Sequence, residues 1–344
     1  MYIGLDIGSV SVNAVLIDGE RRILEDHYER TRGQPLQAMR RVLADMLSRT
    51  PAEQVRGLAV TGSGGKLASE ILGCRFVNEI IAQSKATAFL HPEVRTVIEI
   101  GGEDSKLILL EQDDGGEARV RDFAMNTLCA AGTGSFLDQQ ASRLGFTIEE
   151  FGQAALRSEH PPRIAGRCSV FAKSDMIHLQ QEATPDFDIV AGLCFAMARN
   201  FKSNIGKGKD FERPIAFHGG VAANRGMRRA FEETLGLDGG ELHIPEHYAS
   251  MGAIGAVLSL LEADEVAPFP GVEPIDAYLD ERHHQHETLS PLRDPGHRIE
   301  VEPQPPPPGA SVPAYVGVDV GSISTNVVVL SEDGAILARR YLMT

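Results

Sequence analysis

The sequence predicts an α/β fold of two lobes, in which mixed sheets are flanked by helices. A length of 344 residues is enough for two lobes with ordinary cores. Strand, helix and strand patterns follow one another across residues 35–65. Two acidic hairpins that contain glycine also occur in the one chain, at residues 2–18 and 96–110. Together these observations favour an α/β protein with two lobes.

Composition and charge narrow the classes of function. The chain is 42% hydrophobic and 24% charged, as soluble globular proteins are. It has no apolar run of about 18 residues and no secretion-signal pattern at its start, so we expect a cytoplasmic protein. A net charge of -15 disfavours nonspecific binding to nucleic acid or to anionic membranes. We therefore expect backbone amides, a few cations or a metal ion to hold any anionic ligand.

The first hairpin contains a candidate phosphate-binding turn. Residues 2–18 predict two β-strands, with Asp6 at the end of the first strand and Gly8 and Ser9 in the turn. Backbone amides and the hydroxyls of Ser9 and Ser11 can surround a phosphate, while Asp6 holds a metal-bound water. The alternative interpretation is an ordinary hairpin with a polar tip.

The second hairpin repeats this pattern with more acidic residues. Residues 96–110 predict a strand, a turn with two glycines and a second strand, and the glycines allow a phosphate to lie against the backbone. Glu99, Glu103 or Asp104 can position a metal ion or an attacking water. A polar hairpin is again the alternative, but two such hairpins in one chain make that alternative weaker.

Helix and strand patterns connect the two hairpins. Residues 35–49 place apolar side chains at helical spacing. Residues 55–65 predict a strand that runs into a glycine-rich turn, and residues 66–72 predict a short helix. This order predicts an α/β connection.

The later part of the chain contains a second type of glycine turn. Residues 214–233 predict a strand, a turn at Gly219 and Gly220, and a helix containing Asn224. A double glycine between strand and helix suits a nucleoside lying against the backbone, or is a plain tight connection. Gly252, within residues 244–261, allows close packing of a helix under a ligand or against another helix.

Cys129 and Cys168 each stand just ahead of a predicted helix. Cys129 precedes a Gly-Thr-Gly-Ser turn that opens one helix, and Cys168 precedes a helix that we expect Ser169 to cap. A helix N-terminus favours an anion, and it favours a thiolate over a thiol. A cysteine taken alone is more often buried and inert, and we interpret Cys74 and Cys194 in that way.

The composition changes after the last predicted helix. Residues 266–312 are rich in Pro, His and acidic residues and predict a stiff, extended linker. Metal binding is one interpretation of His283, His284 and His286, and solvated linker side chains are the interpretation that we favour.

The end of the chain repeats its beginning. Residues 315–330 copy residues 2–17, and Asp319 stands where the first copy has Asp6. Residues 315–344 are therefore predicted to begin a second module. We expect the chain to be a fragment of a longer polypeptide, because only one hairpin of that module is present.

Three motifs in this order resemble the actin, sugar-kinase and heat-shock-chaperone superfamily of two-lobed, ribonuclease-H-like ATPases: D-x-G-S, E-I-G-G-E-D-S-K and H-G-G-V-A-A-N. Two cysteine motifs, N-T-L-C-A-A-G-T-G-S-F and G-R-C-S-V-F-A-K-S-D-M, narrow the resemblance. They are similar to those of the ATP-dependent activators of 2-hydroxyacyl-CoA dehydratases and the related benzoyl-CoA reductase ATPase subunits. The resemblance covers residues 1–262. It implies a first lobe of residues 1–95 plus 245–262 and a second lobe of residues 96–244.

The resemblance also implies a set of site residues. Cys129 and Cys168 would ligate a 4Fe-4S cluster shared between two modules. ATP or ADP with Mg2+ would lie between the lobes, beside the candidate catalytic carboxylates Asp6, Glu99, Glu103 and Asp104. The implied nucleotide-binding residues are Gly8, Ser9, Ser11 and Asn13 in the first phosphate loop, Gly101, Gly102, Ser105 and Lys106 in the second, Gly132, Thr133, Gly134 and Ser135 in the turn between cluster and nucleotide, and Gly219, Gly220, Val221, Asn224 and Gly252 on the adenosine side.

One departure from the family pattern affects these assignments. The family's more usual middle motif is D-I-G-G-Q-D-S-K, whereas this chain has Glu99 and Glu103 in place of the first Asp and the Gln. The change leaves open which carboxylate positions the metal ion or the attacking water.

The function that the resemblance implies is ATP-driven, one-electron transfer. The acceptor would be the iron-sulfur component of an acyl-CoA dehydratase or reductase, and a low-potential donor would supply the electron. Two modules must meet, since a 4Fe-4S cluster needs four ligands and one module offers two cysteines. We expect either a homodimer or a second module in tandem within one chain. A sugar or amino-sugar kinase and a noncatalytic nucleotide-sensing module are the alternatives.

Overall fold

The computed structural model describes residues 1–112, 118–126, 132–166, 168–263, 267–283, 302–321 and 324–343. These residues form two units, Met1–Gln285 and His286–Thr344. The predictions for Cys129, His284 and His286 fall outside the described residues. Among the helices of the described ranges, none combines the length and apolar content that crossing a membrane requires.

The first sheet is built from five strands near the start of the chain. They are β1 (Tyr2–Ile7), β2 (Ser11–Ile17), β3 (Ile23–Arg30), β4 (Gly57–Thr61) and β5 (Arg75–Phe76), in the order β3-β2-β1-β4-β5. Strand β1 runs antiparallel to β2 and parallel to β4. Helices α1 (Pro35–Arg49) and α2 (Gly65–Leu72) pack on this sheet, and both match the predicted helices. Apolar residues of β1 and β2 are buried on both faces, as expected for a sheet with helices on two sides.

The second sheet has the same strand order as the first. Its strands are β6 (Thr96–Ile100), β7 (Ser105–Gln112), β8 (Ala118–Asn126), β9 (Ile215–His218) and β10 (Leu242–His243), in the order β10-β9-β6-β7-β8. Strand β6 is antiparallel to β7 and parallel to β9, as β1 is to β2 and β4. The helices on this side are α4 (Gly134–Arg143), α5 (Ile148–Ala155), α6 (Ser169–Gln181), α7 (Asp186–Asn200) and α8 (Arg225–Leu235). The predicted α/β fold, with mixed sheets flanked by helices, is confirmed.

Two helices that pack on each other join the sheets. Helix α3 (Glu79–Leu90) lies against β7 and β8 of the second sheet, and α9 (Met251–Leu261) lies against β1, β2 and β4 of the first. Glycine permits their close approach, because a Cβ atom on Gly255 would lie 1.7 Å from the Ala82 carbonyl oxygen. The packing of α3 against α9 therefore connects the two lobes.

The second unit contains a three-stranded sheet of β11 (Ala314–Val320), β12 (Ser324–Ser331) and β13 (Ile336–Met343). Its register repeats that of the first hairpin, because Asp319 pairs with Asn326 as Asp6 pairs with Asn13. The Gly321 amide donates to the Ser324 carbonyl oxygen at 2.9 Å, which repeats the turn of the first unit. The sequence repeat is therefore also a structural repeat, with a third strand that sequence analysis did not predict.

Two local predictions are wrong. Residues 266–312 are not all extended linker, because α10 (Glu273–His283) forms within them. Ile275 of α10 is fully buried in the core of the first sheet, and the Arg40 guanidinium donates to Asp276 at 2.8 and 3.0 Å. Burial of this apolar residue stabilises the helix in spite of the surrounding composition. At α6 the N-cap residue is Cys168, and Ser169 is the first helical residue.

Candidate active site

The first turn lies where β1 ends and β2 begins. The Gly8 amide donates to the Ser11 carbonyl oxygen at 2.9 Å, and Ser9 is exposed at the tip. Thr31 fixes the turn from behind, since its hydroxyl donates to the Ser9 carbonyl oxygen at 2.6 Å. Asn13 is buried, and its side-chain oxygen has no hydrogen-bond partner within the described residues. The turn therefore exposes its backbone at Ser9. It also places the buried side-chain oxygen of Asn13 on the strand position opposite Asp6.

The second turn lies directly against the first. The Gly101 amide donates to the Asp104 carbonyl oxygen at 3.0 Å, which closes the turn between β6 and β7. A Cβ atom on Gly102 would lie 2.3 Å from Val10 Cγ2, so only glycine allows the two turns to approach this closely. The structure thus brings the two predicted phosphate turns together, one from each sheet.

Lys106 is the centre of a buried charge cluster below these turns. Its Nζ lies 2.8 Å from Glu79 Oε2, 2.9 Å from Glu99 Oε2 and 2.8 Å from Asp104 Oδ2. The Lys106 side chain is only 3% exposed. Burial opposes the charged ammonium, but Glu99, Glu79 and Asp104 raise the pKa of Lys106. An ammonium has three hydrogen-bond donors, and three carboxylates surround this one.

Sequence analysis did not identify Glu79 as a member of this cluster. It is the first residue of α3 and follows Asn78, whose side chain caps the helix by accepting from the Ile80 amide. An acidic residue in the first turn of a capped helix is usual. Its contact with Lys106 depends on the packing of α3 against β7, and no local pattern predicts that.

Two carboxyl groups in this region have raised pKa values. Burial and the nearby charges of Glu79 and Glu99 raise the pKa of Asp6 to about 8. Burial, partly offset by Lys106, raises the pKa of Glu99 to about 7. If all four carboxyl groups were ionised, they would carry an excess of negative charge over the one ammonium. Protonation of Asp6 and Glu99 reduces this excess, and a bound divalent cation would balance it.

The carboxylates fit Mg2+ held through water and phosphate oxygens. No three Asp, Glu, His or Cys side chains of the described ranges form a set that could hold a metal ion by themselves. Mg2+ usually keeps several waters and binds through one or two carboxylates together with substrate phosphates. Asp6, Glu99 and Asp104 can supply those oxygens, whereas Glu103 is exposed and is not among the ion-pair partners found for Lys106.

The N-terminus of α4 is attached to the second turn. The amides of Gly134 and Ser135 donate to the carbonyl oxygens of Gly101 and Gly102 at 2.9 and 2.8 Å. The Ser105 hydroxyl donates to the Gly132 carbonyl oxygen. The predicted turn of residues 132–135, including the buried Thr133, is therefore an extension of the second phosphate turn.

The remaining glycine turn follows β9, the strand that pairs with β6. Gly219 has a φ of +81°, and a Cβ atom there would lie 2.3 Å from the Ile100 carbonyl oxygen, so glycine is required. Val221 approaches Gly134, since a Cβ atom there would lie 3.1 Å from Val221 Cγ2. The next residue after Gly219, Gly220, has open space at its Cβ position.

Asn224 and Gly252 complete the predicted nucleotide residues. The Asn224 side-chain oxygen accepts from the Met227 amide at 3.1 Å and caps α8, while its Nδ2 is buried with no partner found within the described chain. A Cβ atom on Gly252 would lie 2.2 Å from Asp6 Oδ2. The Asp6 carboxylate therefore occupies space that a side chain at position 252 would fill.

The described cysteines fall into two classes. Burial raises the pKa of Cys74 and Cys194 to about 12, which disfavours the thiolate that a metal needs and supports their structural interpretation. Cys168 is half-buried, and its side chain makes no capping hydrogen bond to α6. Val170 and Phe171, in the first turn of α6, are 66% and 65% exposed. Cys168 therefore fits a ligand to a cluster near a surface.

Comparison with known proteins gives one consistent result. A family model described as the BadF/BadG/BcrA/BcrD ATPase family matches residues 3–259. The 2-hydroxyisocaproyl-CoA dehydratase activator of Clostridioides difficile is 33% identical over 263 residues, which are 75% of this chain and 94% of that protein. The (R)-2-hydroxyglutaryl-CoA dehydratase activating ATPase of Acidaminococcus fermentans is 29% identical over 257 residues, 73% of this chain and 94% of that protein.

A solved structure agrees with these relatives. The activator of the 2-hydroxyisocaproyl-CoA dehydratase from Clostridium difficile with bound ADPNP has a TM-score of 0.67 and 27% identity, and the match covers 84% of this chain and 99% of that chain. This likeness and the repeated strand order of the two sheets show the two-lobed, ribonuclease-H-like ATPase fold.

Proposed function

Because the chain belongs to the BadF/BadG/BcrA/BcrD ATPase family, we propose that it uses ATP to drive one-electron transfer from a 4Fe-4S cluster to an acyl-CoA dehydratase or reductase. One observation supports the nucleotide part of this proposal best. Two glycine turns, one from each sheet, lie against each other above the buried Lys106 cluster. Phosphates and a metal ion suit this arrangement of amides and carboxylates.

We assign the phosphates of ATP to the two facing turns. The Ser9 amide and the hydroxyls of Ser9 and Ser11 would bind them from the first lobe, and the Gly102 amide from the second. The amides of Gly8 and Gly101 instead close the two turns. Mg2+ would be held through water by Asp6 and Asp104, where it neutralises charge during phosphoryl transfer. Closure of the two lobes would bring these groups together around the phosphates.

Glu99 and Asp6 are the candidates to accept a proton from the attacking water. A pKa near the working pH suits such a group, and the pKa values of these two are raised to about 7 and about 8. Lys106 holds Glu99 and Asp104 in place through its ion pairs. Glu103, exposed on the turn, is the weakest candidate of the predicted catalytic set.

The adenosine part of the nucleotide is assigned to the turn that contains Gly219, Gly220 and Val221. Gly220 leaves open space, and the buried Asn224 Nδ2 is a donor without a partner within the described residues. A buried donor of this kind is costly unless it is hydrogen-bonded, which a ligand acceptor would provide.

Cys129 and Cys168 are assigned to the 4Fe-4S cluster. When bound, this cluster supplies a one-electron donor whose potential depends on its hydrogen bonds, charge and exposure. The chain's own contribution would be two thiolates, Cys129 ahead of α4 and Cys168 ahead of α6. The N-terminal amides and dipole of α6 favour negative charge. The Gly134 and Ser135 amides of α4 already donate to the second turn, so α4 would contribute only through its dipole. Two further ligands must come from a second module, which would also cover Val170 and Phe171.

We propose two sources for that second module. One is a second copy of the chain, related by a two-fold axis. The other is a tandem module, of which residues 315–344 are the first part, and Asp319 and Asn326 there repeat the register of Asp6 and Asn13. We further propose that the protein acts in the cytoplasm and receives its electron from a low-potential donor.

The test is to measure ATP hydrolysis, nucleotide binding and iron content of anaerobically purified protein. The proposal predicts all three, without any added sugar. Hydrolysis that requires a hydroxylated substrate would support the sugar-kinase alternative. Nucleotide binding without hydrolysis or iron would support a nucleotide-sensing module, and either result would overturn the proposal.

A further inference from the structure

One exposed ion pair connects the first sheet to the second lobe. Arg30 is the last residue of β3, and its Nη1 lies 3.2 Å from Oδ2 of Asp138 in α4. The two residues are 108 positions apart in the chain. Partial burial lowers the pKa of Arg30, but Asp138 of α4, Tyr28 of β3 and Glu149 of α5 raise it, and the net pKa is raised. Arg30 therefore joins the first sheet to acidic groups of the second lobe.

Each member of this pair is attached to one of the phosphate turns. Thr31, the residue after Arg30, donates its amide to the Val10 carbonyl oxygen at 2.9 Å and its hydroxyl to the Ser9 carbonyl oxygen at 2.6 Å. Helix α4, which contains Asp138, donates two amides to the second turn, as described above. The ion pair is therefore a second connection between the two turns, in addition to their direct contact.

The exposure of this pair differs from that of the contacts made by α3. Arg30 and Asp138 are 47% and 30% exposed, whereas in the α3 pair Lys106 is 3% and Glu79 25% exposed, so the difference lies in the cations. Two further contacts of α3 with the second sheet are buried: Gln83 Oε1 lies 3.1 Å from His218 Nδ1, and Ile80 packs in an apolar cluster with Ile108. Breaking a buried ion pair is costly, while an exposed pair is worth little and separates easily. The lobes can therefore part at Arg30 while they stay joined at α3.

We infer that Arg30 is a positioning residue that fixes α4 against the first phosphate turn when the lobes close on a nucleotide. The inference rests on the proposed nucleotide site. Helix α4 begins a few residues after Cys129, so this pair links closure of the lobes to the helix that follows the first cluster cysteine. It assigns to one surface arginine a link between α4 and the first phosphate turn, in addition to the two amides that α4 donates to the second turn.

The experiment is amide hydrogen exchange of α4 in the full chain, with and without ADPNP as the probe. Binding of ADPNP to the wild type is expected to slow exchange in residues 134–143. In Arg30→Gln this slowing is expected to fall by a factor of about 1.5 to 5, the range for an exposed ion pair. Arg30→Lys should restore it, because the contact is a single one that an ammonium can also make.

Two further variants separate charge pairing from general damage. Arg41→Gln breaks the neighbouring Arg41 to Glu29 pair, which joins α1 to β3 inside the first lobe, and it should leave the exchange of α4 unchanged. The charge-exchanged double variant Arg30→Asp with Asp138→Arg should recover part of the effect that each single change removes. A purely structural role for Arg30 would not give this recovery.

The result that overturns the inference is distinct from failure of the proposed function. If the wild type binds ADPNP and Arg30→Gln shows the same slowing of exchange, the positioning role is wrong and the proposed function is untouched. If the wild type binds ADPNP but contains no iron, the proposed electron-transfer function is wrong. The positioning role of Arg30 can still be measured in that case. If the wild type does not bind ADPNP, both are wrong.

Discussion

Glu79 Oε2 lies 2.8 Å from Lys106 Nζ, so the first residue of α3 is ion-paired with the second residue of β7. This contact joins the helix between the lobes to the strand that follows the second phosphate turn. It also gives Lys106 its third carboxylate partner. The pair therefore belongs both to the architecture and to the candidate active site.

Replacing Lys106 should strongly destabilise the protein. Lys106→Met leaves three carboxylates without their shared cation, and removing one partner of a buried ion pair costs about 3–5 kcal/mol. The free energy of unfolding, measured by urea titration, should fall by that amount. The control is Lys85→Met, which breaks the more exposed pair with Glu262 and should cost at most about 1 kcal/mol. Equal unfolding midpoints for Lys106→Met and the wild type would contradict the assignment.

Two glycines of α9 should respond differently to alanine. A Cβ atom on Gly252 meets a movable carboxylate, Asp6 Oδ2 at 2.2 Å, whereas one on Gly255 meets the backbone oxygen of Ala82 at 1.7 Å. Gly252→Ala should fold and lose ATPase activity by about 100-fold, because it displaces a group that positions the metal ion. Gly255→Ala should instead lower the free energy of unfolding by about 1–3 kcal/mol, because α3 and α9 must separate. Full activity in Gly252→Ala would show that Asp6 has no role at the metal site.

His218 should make the protein less stable in acid. Burial, with His91 and His243 nearby, lowers the pKa of His218 to about 3. The unfolded chain takes up this proton below its ordinary pKa of about 6.5 while the folded chain does not, so stability falls as the pH drops from about 6.5 to 3. The expected slope for one proton is at most about 1.4 kcal/mol per pH unit.

The variant His218→Asn should reduce that slope. Asp6 and Glu99 act in the opposite direction, because acids with raised pKa values lose stability as the pH rises from about 4 to 8, so the comparison must be between variant and wild type. His178→Asn is the matched control, since His178 is 69% exposed. Identical pH profiles for His218→Asn and the wild type would refute the assignment of a buried neutral imidazole.

Much of the fold follows from local sequence, and the departures have physical reasons. The turns at Gly8 and Gly101 were predictable because glycine and acidic residues between apolar strands leave few other conformations. Helix α10 was not predicted, because the Pro-rich and His-rich composition of residues 266–312 was given more weight than the spacing of the apolar residues within it. Ile275 and Leu279 stand four residues apart after Pro274, and that is the helical signal within the Pro-rich and His-rich segment.

The candidate site was less predictable than the fold. The two hairpins predict Asp6, Glu99 and Asp104, the family resemblance adds Lys106, and the structure brings these four together. Glu103, predicted from the same hairpin, is exposed on the turn. Glu79 was missed because its role depends on how α3 packs, which no local spacing encodes. The predicted role of Cys129 stays a prediction, because that residue lies outside the described part of the chain.

The most direct test of the central claim is the number of electrons delivered to an acyl-CoA dehydratase component for each ATP hydrolysed, measured anaerobically. The wild type should deliver electrons only when ATP is hydrolysed. Cys168→Ser should still bind and hydrolyse ATP but should lose iron and electron transfer, while Cys74→Ser, the control, should keep both. Electron transfer by Cys168→Ser at the wild-type ratio to ATP, or ATP hydrolysis by the wild type without any electron delivered, would contradict the account.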